Sequence, residues 1–63
     1  MDDDEELAAR LLTLAGAIME DASVVAIIGE GGIPLAERAA AVSGAAADAG
    51  LLARAAAIAL RRR

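Results

Sequence analysis

Residues 29–34 read Gly29-Glu30-Gly31-Gly32-Ile33-Pro34. This hexapeptide decides the fold, because it gathers three of the chain's six glycines and its single proline into one short segment. Glycine is the usual residue just past a helix C-terminus, where the backbone turns left-handed, and proline suits the first turn of a following helix. The spacing predicts a Gly-rich turn over 29–34 between two helical arms.

Upstream of the turn, Leu7, Leu11, Leu14 and Ile18 repeat at intervals of four, three and four. Ala8, Leu12, Ala15 and Met19 form a second apolar row beside them, while Glu6, Arg10, Thr13, Glu20 and Asp21 fall on the opposite arc. That is the signature of an amphipathic helix over about 3–20, with its apolar rows expected to face inward. Asp3 or Asp4 is expected to cap it, and the acids of the first turn suit the positive end of the helix dipole. Ser23 to Ile28 (SVVAII) is ambiguous. Its β-branched residues favour a strand by propensity, yet no second β-rich run exists for it to pair with, so helix is the preferred reading, either continuous to 28 or restarted with Asp21 as a new cap. Continued as helix, the segment puts Val25 on the apolar arc but Val24 and Ile27 on the polar one.

Downstream, Leu35, Ala39, Val42, Ala46, Ala49, Ala53, Ala56 and Leu60 share one face of a helix running over 35–62. Gly44 and Gly50 each cost about 1 kcal/mol inside a helix and leave two readings open. In one, Asp48 caps a fresh helix. In the other the helix is continuous, and Leu51, Leu52 and Ile58 point away from the alanine stripe. The expected fold class is all-α: one helical domain over 1–63, built as a small hairpin or a three- to four-helix bundle that completes its core by association.

The expectation of association comes from composition. There are 19 alanines but only 18 larger aliphatic side chains, no aromatic residue and no cysteine, so a 63-residue chain has little apolar volume to set against the entropy of ordering it. Val24, Ile27, Leu51 and Ile58, the large side chains left off the main stripes, are the candidate interface. The expected partner is a second copy, with a dimer favoured, or a helical protein.

The same composition argues against most chemistry. The chain has no His, Cys, Lys, Tyr, Asn or Gln, so Thr13, Ser23 and Ser43 lack an activating base, and the usual zinc ligands are missing. No catalytic residue, cofactor site or metal site is assigned, and the chain is not expected to be an enzyme. The acidic run Asp2 to Glu6 lacks the alternation and Gly turn of a calcium loop. Gly29, Gly31 and Gly32 imitate a phosphate-binding loop, but Pro34 stands where the third glycine of that fingerprint belongs and no second strand can follow.

Net charge is −4, with acids at the start and Arg61, Arg62 and Arg63 at the end, which gives no basic stripe for nucleic acid. The longest uncharged stretches, Leu11 to Met19 and Ala39 to Ala47, are nine residues each against about 20 for a membrane span. A cytoplasmic, non-catalytic interaction protein is therefore the expected function. Contact with a membrane surface is the first alternative, and nucleotide or phosphate binding through 29–34 the second.

Overall fold

The computed structural model describes residues 2–28 and 32–62. Two helices, α1 (Asp3–Ile28) and α2 (Leu35–Arg62), pack antiparallel as a hairpin with extents of 46 × 16 × 10 Å. No strand occurs among the described residues, and Ser23 to Ile28 simply continues α1. Alanine neighbours and a helix already in progress outweigh the β-propensity of two valines and two isoleucines, because each added residue gains a hydrogen bond without a new nucleation penalty. Nor does α2 break. Gly44 and Gly50 lie within 28 continuous helical residues, so Asp48 caps nothing. The expected Gly29 and Gly31 turn positions lie outside the described residues. Gly32 has φ +68, the left-handed region that glycine enters without steric penalty.

The ends of the helices are set by local hydrogen bonds. Asp2, rather than Asp3 or Asp4, is the N-cap of α1: its Oδ1 accepts from the Glu5 amide at 2.7 Å and its carbonyl accepts from the Glu6 amide at 3.0 Å. The cap sits one residue earlier than expected, which leaves Asp3 and Asp4 inside the positive first turn, where their charge favours the helix. At the start of α2 the Arg38 amide donates to the Pro34 carbonyl at 3.0 Å. Proline therefore stands just before the first helical residue, where its missing N–H is not needed.

The seam between the helices differs from the stripes expected from sequence. In α1 the buried or half-buried apolar residues are Ala8, Leu11, Ala15, Ile18, Ala22 and Val25, and in α2 they are Val42, Ala45, Ala49, Leu52, Ala56 and Ala59. Both sets repeat at alternating intervals of three and four, the 3.5-residue period of a coiled coil. Leu7, Leu12, Leu14 and Met19, expected inside, are exposed, as are Leu35, Ala39, Ala46, Ala53 and Leu60. Leu52, expected to point away, is half-buried. The reason is geometric. Each helix carries an apolar arc wider than one helix–helix contact can cover, and the contact settles on the strip that holds alanine every seventh residue.

Among the described residues the five that are buried, Ala8, Ala15, Ala49, Ala56 and Ala59, are all alanines. With Asp4 meeting Arg62, and Leu7 sharing a groove with Ala59, residues whose numbers sum to about 66 lie level. By that register Leu11 stands level with Ala56, Ala15 with Leu52 and Ile18 with Ala49. In these three layers a large side chain on one helix faces an alanine, or an alanine a large side chain, on the other.

Candidate interaction surfaces

With the seam closed by alanines, most of the large side chains remain outside it. Val24 is 53 % exposed, Ile27 79 %, Leu51 68 % and Ile58 44 %, so the four candidate interface residues all face outward. They do not form one patch. Val24, Leu51 and Ile58 occupy the same broad side of the hairpin, but Val24 lies about 14 Å further along the axis than the level of Leu51. Ile27 sits on the outer edge of α1, opposite the seam. The structure places Leu7 beside Ile58, where both line a shallow groove with Ala55, Ala59 and Arg62. By register Leu14 stands level with Leu51. Reading Leu7 and Leu14 as core hid these two partners; the signal that could have found them is the seven-residue spacing of Ala8, Ala15 and Ala22, which marks the true seam.

The opposite broad side is different in kind. Its α1 positions are Ala9, Leu12, Gly16, Met19, Ser23 and Ala26, all exposed. In α2 the same spacing from Ala39 through Gly50 to Leu60 holds only Ala, Ser, Gly and Leu. A groove runs along this side between the helices, lined by Met19, Ala22, Ser23, Ala26, Val42 and Ala46, and continues past Ala39 to Leu35 at the closed end. Arg38 lines the groove at its closed end, while the face from Ala9 to Ala26 of α1 and from Ala39 to Leu60 of α2 carries no charged residue. On the Leu51 side, by contrast, Arg10, Asp21, Glu37, Asp48 and Arg62 are interleaved with the apolar residues. The two outer edges carry opposite signs, with Glu6 and Glu20 along α1 and Arg54 and Arg61 along α2.

Polar side chains serve the hairpin itself. Arg38 reaches from α2 to the end of α1, its Nε donating to the Val25 carbonyl at 3.3 Å and an Nη donating to the Ala26 carbonyl at 2.7 Å. These carbonyls lie in the last turn of α1, which has no basic residue of its own, so the guanidinium supplies both hydrogen bonds and positive charge at the negative end of the helix dipole. At the open end Arg62 donates to Asp4 Oδ1 at 2.9 Å. That hydrogen bond, and then the Asp4 charge, raise the Arg62 pKa above its ordinary value. Arg10 pairs with Glu6 at 2.7 Å one turn away, and the Thr13 hydroxyl donates to the Ala9 carbonyl at 2.9 Å.

Among the described residues no polar or charged residue is buried, and no group of three or more His, Cys, Asp or Glu side chains is placed to hold a metal ion. Ser23 and Ser43 are both exposed on the uncharged side, with no activating group beside them. The Gly29 to Gly31 portion of the candidate phosphate loop lies outside the described residues. One feature bears on the membrane alternative: α2 has the length and composition of a membrane-crossing helix, with a mean hydropathy of 1.3 over an 18-residue window that is 11 % buried. No protein-family profile, curated protein or solved structure matches this chain.

Proposed function

We propose that this chain is a small, non-catalytic helical interaction protein whose hairpins associate with one another, a dimer being favoured over docking on a different helical protein. The observation that carries the reading is exposed apolar surface: Leu12, Leu14, Met19, Val24, Ile27, Leu35 and Leu51 are each at least half exposed. The accessible area of 4529 Å² exceeds the roughly 3,700 Å² expected for a compact monomer of this mass. The Cα radius of gyration of 14.5 Å likewise exceeds the roughly 11 Å of a compact 63-residue domain. A rod two helices wide cannot shield side chains that point away from its one seam, and a second layer of helices can.

Sedimentation equilibrium over the micromolar range tests this directly. The expected result is a mass of about twice the 6.3 kDa monomer, falling towards 6.3 kDa on dilution. A folded 6.3 kDa species across the whole range removes the self-association reading.

Membrane contact is the second reading, and the apolar length of α2 favours it. Against it, Asp48 lies at the centre of that helix, where a charge costs about 2.5–3.5 kcal/mol in a bilayer. The acidic first turn of α1 also repels anionic headgroups. No co-sedimentation with anionic vesicles is expected, and quantitative pelleting with them would make the membrane the preferred partner.

A further inference from the structure

Resting on the self-association reading, we infer that the uncharged broad side, from Ala9 to Ala26 of α1 and from Ala39 to Leu60 of α2, is where a second copy of this chain packs, with α1 of each copy lying over α2 of the other. Three independent observations converge on that occupant and that orientation.

The first is area. The accessible surface in excess of a compact monomer is about 800 Å², close to one partner's share of a standard stable interface. The second is charge. A copy stacked on the Leu51 side would have to cover Arg10, Asp21, Glu37 and Asp48, whereas the opposite side meets charge only at its ends, at Glu5 and at Arg38, whose guanidinium is already held by α1 carbonyls. A two-fold axis along the hairpin also sets the acidic edge of α1 over the basic edge of α2, with Glu6 level with Arg61 of the second copy. An axis across the hairpin sets α1 over α1 and brings like charges together.

The third is shape. On this side the large residues of α1, Leu12 and Met19, come level with the stretch from Ala46 to Ala57 of the second copy's α2, where every residue on the face is Ala or Gly. Leu60 comes level with the Glu5 to Ala9 turn of the second copy's α1. Gly16 and Gly50 lie on the same face at nearly the same level. A Cβ added at either meets nothing within 4 Å, so no contact inside the hairpin requires glycine there. Small residues there leave room for another helix to come near, although Gly44 on the Leu51 side is equally open.

The test has two arms. In sedimentation, Ala53→Glu is expected to shift the dimer to monomer at concentrations where wild type and Leu51→Glu remain dimeric, with helicity by circular dichroism retained in all three. Loss of the dimer in Leu51→Glu, or its persistence in Ala53→Glu, overturns the assigned face while leaving self-association standing. A monomeric wild type removes the underlying reading instead. In the second arm, separately prepared Gly16→Cys and 15N-labelled Gly50→Cys chains are mixed and treated with a short bis-maleimide, which the cysteine-free background makes specific. The expected product is the mixed-isotope adduct, well above its statistical share. Predominance of 16–16 and 50–50 adducts overturns the α1-over-α2 arrangement, and this arm decides the face if Ala53→Glu loses its helicity.

Discussion

Ala56→Leu is expected to destabilise the hairpin by about 2–3 kcal/mol, at the upper end of the usual penalty for overpacking. Ala56 is 1 % exposed and level with Leu11, so three added heavy atoms have no void to enter and must force the helices apart along several layers. For a chain of this size the whole folding free energy is only a few kcal/mol, and the variant should be largely unfolded at room temperature. Urea denaturation followed by circular dichroism measures the effect. Ala47→Leu, on the exposed outer edge of α2, is the matched control and should move the midpoint by no more than about 0.5 kcal/mol equivalent. Equal midpoints for the two variants would mean that alanines do not set the helix separation.

Arg38→Ala is expected to cost about 1–2 kcal/mol, somewhat below the ~1.5–3 of sheltered charged hydrogen bonds because its bond to the Ala26 carbonyl is exposed. The loss should be local first. Amide exchange in the last turns of α1 should accelerate before exchange at the open end does, since carbonyls at Val25 and Ala26 lose their only charged donor among the described residues. Arg38→Lys should recover less than half of the loss, because an ammonium lacks the planar fork that reaches two carbonyls at once. Arg54→Ala, on the outer edge, should be close to neutral. If Arg38→Ala leaves both midpoint and exchange unchanged, the guanidinium plays no part in closing the hairpin.

These two positions also show why the interior was harder to read than the outline. Arg38 occupies a seam position by spacing, yet a charged residue there looks like an interruption until the end of α1 is seen folded back against it. Ala56 was legible as an inward residue, but its stripe was drawn with Ala53 and Leu60 in place of Leu52 and Ala59. Both choices obey a three-four spacing and share Ala49 and Ala56, and they differ by a rotation of about 50° about the helix axis. In α1 the leucines at 7 and 14 drew the apolar face towards themselves by their size. Burial went instead to Ala8 and Ala15, since two helices that meet through methyl groups can approach more closely than two that meet through leucines.

The outward direction of Leu51 and Ile58 followed from the sequence once α2 was continuous, and so did the outward direction of Val24 and Ile27. What was not legible is that Leu51 and Ile58 share their side of the hairpin with Leu14 and Leu7 and with five charged residues, while the other side meets charge only at its ends. That division depends on which residues the seam consumes, because every remaining position is then assigned to one side or the other.

The amino-acid sequence by itself determined the all-helical class, the division of the chain at Gly29 to Pro34, the meeting of acidic and arginine-rich ends, and the poverty of reactive groups. These depend on local propensity, periodicity and composition, which neighbouring residues carry without reference to anything distant. Only the tertiary structure decided the rotation of each helix about its own axis, the alanine seam, the bracing of α1 by Arg38 and the separation of a charged side from an uncharged one. In helices that are apolar over so wide an arc, rotation costs little within either helix alone, and the choice is made by close packing between the two.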